Sequence, residues 1–344
     1  MRVQLAIVLV VTAVGCGSSS EPPLTNAVTL SCPTPGNLPF RMMSSGFQKS
    51  GNAALVKQDT RIKDEASDTI GNPGGPFASV YLDPSAAPNS NPVDYHGVKA
   101  VTGANQGIEQ TPIPGEFVSA WYHDDAMGWI SIGRTMTGDD GSYDLPDTGY
   151  VAPNGSPVYT MLEADGTCAT SYNMLLPPGS KVVVTDIDGT LTTSDQELLM
   201  QLSDESYVPM MMGAANTLMQ TWSMKGYPIV YLTARANEFR AETAQWLGQQ
   251  MFPIGVTITG SNSSDAQAYK TNWLQRMVTT FGWDIVAGYG NADTDIGAYQ
   301  AVNIPNSQIF IVGPLGGDMG STAIPNMDFS AHITNYVDAQ PDNN

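Results

Sequence analysis

The sequence predicts two folded domains: an all-β, sandwich-like domain over residues 29–178 and an α/β domain with an open sheet over residues 179–335. The first half contains short β-rich runs separated by Gly-, Pro-, Ser- and Asn-rich turns, which is typical of a β-sandwich. The second half contains apolar runs that end in polar side chains, which is typical of buried strands in an open sheet. At 344 residues the chain is long enough for two hydrophobic cores.

The N-terminus has the features of an export signal. The apolar run at residues 5–14 is too short to span a bilayer. A cysteine after a small residue resembles the bacterial lipoprotein cleavage site, so residues 1–16 are predicted to be a lipoprotein-type signal peptide with Cys16 as the lipidation site. An ordinary secreted protein cut nearby is the alternative. Because Ser18 resembles outer-membrane sorting, we expect an outer-membrane lipoprotein facing the periplasm or exterior, with residues 17–28 as a linker.

The cysteine count predicts one disulfide. Once Cys16 is lipidated, Cys32 and Cys168 remain. An even pair in an oxidising compartment favours a bridge, and two buried free thiols are the alternative. On the chain-entropy model such a bridge stabilises the fold by roughly 4 to 5 kcal/mol, because it closes a long loop.

The β-rich domain contains several strand candidates and one marked turn. Residues 133–143 indicate a strand, an Asp-Gly turn and another strand. Asp139 and Asp140 could instead bind calcium, although aspartate before glycine is ordinary turn chemistry. Residues 177–180 are predicted to be a hinge between the domains. The strand candidates are Phe77–Leu82, Phe117–Tyr122, Trp129–Ile132 and Val158–Leu162.

The α/β domain opens with a β-branched run that delivers two carboxylates, Asp186 and Asp188, into a glycine turn. The run fits a strand buried on both faces, and ligands bind where such strands end in open α/β sheets. One carboxylate can attack phosphorus, its neighbour can protonate the leaving oxygen, and both can hold a divalent cation. An EF-hand calcium loop fits poorly because Gly189 is the fourth residue rather than the sixth.

Further polar groups follow later elements. A strand candidate at residues 227–232 ends in Thr233 and Arg235, whose side chains suit phosphate oxygens. A threonine cap and a surface arginine are the alternative interpretation. Lys270 lies on a predicted helix over residues 265–281, and it is the only lysine after Lys225.

A third strand candidate, at residues 285–289, runs into an acidic loop with Asn291 and Asp295. This order of groups resembles the haloacid dehalogenase (HAD) superfamily over residues 180–317. The resemblance implies a HAD-like doubly wound parallel sheet and Mg²⁺-dependent phosphoryl transfer through an aspartyl-phosphate. The implied Mg²⁺ ligands are Asp186, Asp188, Asn291 and Asp295.

The same resemblance implies a role for each matching residue. Asp186 would be the nucleophile and Asp188 the general acid and then base. Thr233 and Lys270 would clamp the phosphate. The residues that would support the phosphate site are Thr190 and Arg235.

A closer likeness exists to the lipin-type phosphatidate phosphatases. The residues that carry it are 186–195, 226–227, 231–235, Thr243, 246–247 and 269–270, followed by 290–291, Asp295, 298–299, Val302 and 309–312. That family hydrolyses phosphatidic acid to diacylglycerol, so the resemblance implies this phospholipid as the substrate. Lipins also join an immunoglobulin-like sandwich to their phosphatase domain.

Two departures from the lipin pattern leave the preference for a lipid head group undetermined. Ala292 stands where the family usually has arginine, and residues 313–316 read Gly-Pro-Leu-Gly instead of Asn-Pro-Lys-Gly. A related branch in lipid-transfer proteins has lost the catalytic aspartates and only binds phosphatidic acid, whereas Asp186 and Asp188 are retained here. The alternatives are a periplasmic phosphatase of another phosphomonoester and a catalytically silent lipoprotein that binds phosphatidate or another ligand.

The net charge of the chain and the lengths of two connections limit which partners and substrates are expected. The net charge of −19 argues against nucleic acid and disfavours unaided docking on anionic lipid, which a lipid anchor would overcome. The connections at residues 191–207 and 248–264 leave room for little more than turns and a short strand, so the cleft is expected to be open. Residues 336–344 are predicted to be a flexible tail.

Overall fold

The structure is a computed structural model in which Cys16, Cys32 and the predicted linker at residues 17–28 lie outside the described residues. Cys168 is disulfide-bonded. Its pairing with Cys32 stays a prediction, as does the lipidation of Cys16. The described residues are 46–58, 62–80, 95–102, 110–145, 152–204, 206–260 and 265–343.

The first half of the chain forms β-sheets and one helix, α1 (Ser50–Gln58). Its strands are β1 (Ile62–Ala66), β2 (Thr69–Gly71), β3 (Phe77–Ser79), β4 (Tyr95–Thr102), β5 (Gln110–Pro112), β6 (Phe117–Asp124), β7 (Gly128–Met136), β8 (Ser142–Leu145), β9 (Pro157–Leu162) and β10 (Cys168–Leu175). One sheet has the order β1-β4-β5, with β8 also paired to β4, and the other has the order β3-β2-β10-β9-β6-β7. The four predicted strand candidates fall on β3, β6, β7 and β9.

The two sheets pack against each other. Tyr143 and Leu145 of β8 lie in one apolar cluster with Val118 of β6 and Val158 of β9. The Tyr143 hydroxyl donates a hydrogen bond to Thr160 Oγ1 at 3.0 Å. Side chains from both sheets therefore fill one shared layer.

The predicted Asp-Gly turn is present, but the two strands beside it do not form a hairpin. Gly141 N donates to Gly138 O at 3.0 Å, and Asp140 Oδ1 accepts from Ser142 N at 3.0 Å. Because β7 pairs with β6 while β8 pairs with β4, the turn carries the chain from one sheet to the other. Among the described residues, no group of three or more His, Cys, Asp or Glu side chains could hold a metal ion.

The second half of the chain forms a six-stranded parallel sheet with the order β13-β12-β11-β14-β15-β16. The strand of this sheet that comes first in the chain is the β-branched run, whose residues Val182, Val183 and Val184 are fully buried. Such burial on both faces explains the continuous apolar sequence. The strands are β11 (Lys181–Thr185), β12 (Ile229–Ala236), β13 (Val256–Gly260), β14 (Asp284–Gly290), β15 (Ile309–Val312) and β16 (Thr322–Ile324).

Helices cover both faces of this sheet. Trp222 and Trp246, from the second and third helices of this half, pack with Val183. Trp273, from the fourth, packs with Val184 on the opposite face. No helix in the described part of the chain is long and apolar enough to cross a bilayer. The helices are α2 (Glu197–Ser203), α3 (Ala215–Met224), α4 (Arg240–Gln249), α5 (Ala266–Gln275), α6 (Asp293–Ala301) and α7 (Ser330–His332), with 3₁₀ turns at Asn237–Phe239, Asn306–Gln308, Asp318–Gly320 and Pro325–Met327 and π-helical turns at Arg276–Thr280 and Ile333–Val337.

The strand order reverses between β11 and β14. The chain runs from β11 to β12 and β13 on one side and then returns to β14 on the other side of β11. In open parallel sheets such a reversal leaves a crevice at the carboxyl ends of the two central strands. Residues that follow β11 and β14 therefore meet at one place.

The two halves of the chain share one hydrophobic core. Ile70 and Met174 from the β-rich half belong to the same apolar cluster as Val184 and Trp273. The predicted hinge at residues 177–180 is hydrogen-bonded, since Gly179 N donates to Gly282 O at 2.7 Å. The segment is thus a packed connection.

A buried ion pair adds to this contact. Asp68 Oδ1 lies 2.6 Å from Arg240 Nη2 and accepts from Tyr172 N at 2.9 Å. Asp68 Oδ2 accepts from Thr257 N, in the edge strand β13, at 2.8 Å. Arg240 Nε donates to Ala66 O at 2.8 Å. One carboxylate therefore joins the β-rich half to both a helix and a strand of the α/β half.

The C-terminal residues are packed, in contrast to the flexible tail predicted for residues 336–344. The π-helical turn Ile333–Val337 crosses the predicted boundary. Asn343 N donates to Lys225 O at 2.7 Å, and Lys225 Nζ donates to Gln340 O at 2.8 Å. The tail is held because it supplies partners to the turn that follows α3.

His332 lies among aromatic rings on one face of the parallel sheet. Its ring stacks on Tyr336 with centroids 5.1 Å apart, and its Nε2 lies 3.0 Å from the Tyr289 hydroxyl. Burial lowers the pKa of His332 to about 4. The folded state therefore favours the neutral imidazole.

We expect Asp68→Ala to lower the free energy of unfolding by about 3 to 5 kcal/mol, because it leaves Arg240 buried without its counter-charge. Urea unfolding of the purified chain measures this. Asp139→Ala is the matched control, because that carboxylate is exposed and lies 3.9 Å from Lys49. A loss no greater than that of the control would show that the ion pair does not stabilise the contact.

We expect His332→Phe to make the stability less sensitive to acid. The folded-state pKa lies below the ordinary value of 6.5, so the stability from neutral His332 is complete above that value and is lost as the pH falls toward about 4. Melting temperatures of both proteins over this interval measure the effect. Parallel pH profiles would contradict the assignment.

Candidate active site

Asp186 follows β11 directly, at the crevice where the strand order reverses. Its backbone N–H donates to Tyr289 O at 3.0 Å, which joins the ends of β11 and β14. Its side chain is buried. The β-branched strand therefore delivers this carboxylate to the carboxyl edge of the sheet and holds it there.

Lys270 lies between two carboxylates. Its Nζ is 2.6 Å from Asp186 Oδ1 and 2.6 Å from Asp295 Oδ1, and all three side chains are buried. The three residues come from α5, the end of β11 and the first turn of α6. The predicted phosphate clamp is thus a buried ion-pair bridge.

The other oxygen of Asp186 faces a polar pair. Thr190 Oγ1 lies 3.0 Å from Asp186 Oδ2 and 3.2 Å from Asn291 Oδ1. One carboxylate oxygen and one amide oxygen therefore converge on the same hydroxyl. Asn291 Nδ2 donates to Asp195 Oδ1 at 3.4 Å, which places a further carboxylate at the rim of the site.

Asp295 lies in the first turn of α6, whereas the sequence predicted an acidic loop. Its Oδ2 accepts from the backbone N–H groups of Asn291 at 3.0 Å and Ala292 at 3.1 Å. Its Oδ1 contacts Lys270. Asp295 thus orients the turn after β14, and its predicted role as a Mg²⁺ ligand stays a prediction.

Asp188 is held by Arg235. Arg235 Nε donates to Asp188 Oδ2 at 2.8 Å and Arg235 Nη2 donates to Asp188 Oδ1 at 2.8 Å, a bidentate pair. Thr233 Oγ1 donates to Asp188 Oδ2 at 3.2 Å. Arg235 Nη1 donates to Thr243 Oγ1 at 2.9 Å. The carboxylate predicted as a Mg²⁺ ligand is therefore turned toward Arg235.

Thr233 and Arg235 lie inside β12, although the sequence placed them after the strand. The pairing of β12 with β13 shifts in register between Leu232 and Ala236. The extended backbone across this irregularity lets Thr233 and Arg235 both reach Asp188. In the structure both side chains contact Asp188, and their contact with phosphate stays a prediction.

The charges at the site are coupled. Burial raises the pKa of Asp186 to about 7, and the ammonium of Lys270 opposes this effect. The carboxylates of Asp186 and Asp295 in turn raise the pKa of Lys270, against the effect of burial. A further positive charge near Asp186 would favour its ionised form.

Gly189 makes room at the centre of the site. Its φ of +69° is in the left-handed region, and a Cβ there would collide with Asn291 Nδ2 and lie 2.6 Å from Asp195 Oδ1. Its N–H donates to Thr192 Oγ1 at 3.0 Å. Glycine is therefore required both for the turn and for the space beside Asn291.

Sequence reasoning missed the supporting partners Asp195 and Thr243. Asp195 was noted only as part of the lipin-like run, although its spacing from Asp186 keeps it in the same turn segment. Thr243 lies in α4, 8 residues after Arg235, and it too was noted only as part of the lipin likeness. Their roles depend on contacts that only the fold creates.

Two oxygens of this site are donors of the kind that Mg²⁺ takes, although a Mg²⁺ ion here stays a prediction. When all of its carboxyl groups are ionised, the inner site has three carboxylates, of Asp186, Asp188 and Asp295, against two cations, of Lys270 and Arg235, and is one negative charge in excess. A phosphate monoester adds more negative charge. The oxygens of Asp186 and Asn291 that converge on Thr190 are hard donors, and Mg²⁺ takes few protein ligands and keeps several waters.

Comparison with known proteins shows which sequences the region around this site resembles. Residues 183–313 match the family model described as "PITM 1-3, LNS2 domain". The chain is 30% identical over 209 residues to Protein retinal degeneration B of Drosophila melanogaster, and 31% identical over 188 residues to Membrane-associated phosphatidylinositol transfer protein 3 of Mus musculus. These alignments cover 60% and 54% of this chain but 16% and 18% of the relatives.

A chain of the solved Pnkp1/Rnl/Hen1 complex aligns over 39% of this chain and 45% of that chain at 15% identity. Its TM-score of 0.32 is too low to assign a fold. The sequence match is the informative one, because it spans β11, β12 and β14 together with Lys270 and Asn291. The second half of this chain therefore contains a region similar to the LNS2 domain.

Proposed function

We propose that the crevice after β11 and β14 binds the phosphate monoester head group of a membrane phospholipid, in a domain of the HAD-like type. The observation that carries the proposal is the bridge of Lys270 between Asp186 and Asp295 at the reversal of strand order. It presents fixed charge and hydrogen-bonding groups at the edge where parallel sheets bind ligands. The name of the Mus musculus relative, a phosphatidylinositol transfer protein, supports a phospholipid as the ligand.

The class of ligand follows from how open the crevice is to solvent. The Asp188 side chain is 20% exposed and Asp195 is exposed, so the crevice opens to solvent beside the buried Asp186. α2 is seven residues long, and it lies in the connection at residues 191–207, where little more than turns and a short strand was expected. Such a short cover leaves room for a phosphate attached to a bulky group. Phosphatidic acid is the phospholipid that we propose.

Binding depends on a divalent cation in this proposal. Mg²⁺ held by Asp186 and Asn291 would offset the negative charge of the phosphate. Lys270 would keep Asp186 in place, and Arg235 would keep Asp188 beside the ligand. We further propose that the protein is an exported lipoprotein, anchored to the outer membrane by an acyl group on Cys16.

Hydrolysis is a second proposal, favoured by the presence of both Asp186 and Asp188 at the crevice. Asp186 would attack phosphorus, and the ester oxygen would leave with a proton from Asp188. Water would then attack the aspartyl-phosphate and give a proton to Asp188, which releases phosphate and restores Asp186. Arg235 and Thr233 fix the direction of the Asp188 carboxylate during both steps.

Removing the metal is expected to weaken phosphate binding at least about tenfold, because the inner site is then repulsive to an anion. Isothermal titration with inorganic phosphate, with Mg²⁺ and then with EDTA, measures this. Vesicles that contain phosphatidic acid or phosphatidylinositol then test the preference for a monoester. Equal binding to both lipids would contradict the proposed head group.

Asp186→Asn is expected to lower phosphate release from phosphatidic acid by at least about a thousandfold while leaving the fold intact. Asp284→Asn is the matched control, because Asp284 is exposed at the opposite end of the sheet. Phosphate release in mixed micelles measures both. If the unaltered protein binds phosphatidic acid and releases no phosphate from it or from soluble phosphomonoesters, hydrolysis is excluded and binding stands.

A further inference from the structure

An exposed apolar surface lies in the connection that follows β11. Leu199 is 64% exposed, Met200 37%, Val208 51% and Met210 57%. We call these four residues the apolar rim. Single exposed apolar side chains are common, but four within one connection are a candidate contact surface.

α2 buries a carboxylate and exposes two apolar side chains, unlike an ordinary surface helix. Glu197 is buried, whereas Leu199 and Met200 face outward. The Glu197 carboxylate accepts from the Tyr207 hydroxyl at 2.6 Å and from Met210 N at 2.8 Å. The buried carboxylate therefore links α2 to the segment that carries Val208 and Met210, and it fixes the two parts of the apolar rim relative to each other.

This unit borders the candidate active site. Met211 forms a β-bridge with Thr192, and Thr193 N donates to Met210 O at 2.9 Å. Thr192 Oγ1 in turn accepts from Gly189 N in the glycine turn between Asp188 and Thr190. A surface that touched the apolar rim would thus lie next to the mouth of the crevice.

The charge of this face limits the kind of interaction that it can make with a membrane. No lysine or arginine occurs between Lys181 and Lys225, and the whole chain carries a net charge of −19. Asp195 and Asp204, in the same connection, are exposed. Attraction to an anionic surface therefore cannot hold this face against a membrane, and contact with acyl chains is the interaction left to it.

We propose that the apolar rim inserts into the acyl boundary of a lipid bilayer and so places the crevice at the level of the head groups. The inference rests on the proposed function for its orientation, since the ligand would be drawn from that same bilayer. Apolar insertion does not require anionic lipid or low salt. A second copy of this chain and a protein partner are the other occupants that the test must exclude.

The test uses the mature chain from residue 17 onward, which lacks the predicted signal peptide and Cys16, so that neither an apolar leader nor an acyl anchor masks weaker binding. Leu199→Ser combined with Met210→Ser alters the apolar rim. Met224→Ser combined with Met251→Ser is the matched control, because these methionines are 58% and 62% exposed and lie at the end of α3 and just after α4, at the opposite end of the sheet. Co-sedimentation with vesicles of pure phosphatidylcholine measures the partition of each protein.

We expect the apolar-rim variant to partition at least about tenfold less than the unaltered chain and the control variant to match it. Binding should persist when the salt concentration is raised, because no attraction between charges is involved. Equal partition of the two variants would overturn the proposal. So would a dimer that the apolar-rim variant abolishes in sedimentation while vesicle binding is unchanged.

Titration with inorganic phosphate and Mg²⁺ separates this inference from the proposed function. The apolar-rim variant should bind phosphate as the unaltered chain does, because its altered side chains are exposed and lie outside the crevice. If the unaltered chain does not bind phosphate, the phosphate site is refuted, but the result of the vesicle experiment is unaffected. Loss of phosphate binding in the apolar-rim variant alone would show that these residues shape the crevice and would overturn the docking role.

Discussion

The ammonium of Lys270 is the constraint on which the candidate site depends. A buried positive charge is stable only with close counter-charges, and Asp186 and Asp295 supply them at 2.6 Å. These contacts fix α5, the end of β11 and the first turn of α6 relative to one another. Because Asp295 also accepts from Asn291 N, the same charge orients the turn after β14. The shape of the crevice follows from the requirement to neutralise one lysine.

A second buried charge, Asp68, connects the β-rich half to this arrangement. β13 is the edge strand of the parallel sheet, and an unpaired edge exposes backbone N–H groups. Asp68 accepts from Thr257 N on that edge and pairs with Arg240 on the helix before it. The β-rich half thus completes the hydrogen bonding of the α/β half, which explains why the segment between them is packed.

The sequence predicted those features that depend on local pattern. The run at Val182–Val184 forms β11, the helix that carries Lys270 lies where it was expected, and the Asp186 carboxylate follows its strand. The partners of charged groups were not predictable, because Arg235 could serve either phosphate or Asp188. The pair of Asp68 and Arg240 spans many residues and has no sequence signature. Likewise the composition of the tail gave no sign of its contacts with Lys225.

Charge poses two separate problems for a strongly acidic chain with an anionic ligand. Within the crevice, Lys270 and Arg235 are already used by carboxylates, so an incoming phosphate needs a positive charge that the side chains do not supply. Outside the crevice, the repulsion falls off within about a Debye length, whereas apolar contact acts only at touching distance. A divalent cation addresses the first problem and the apolar rim the second. Neither can replace the other, because one acts on the bound phosphate and the other on the approach to the bilayer.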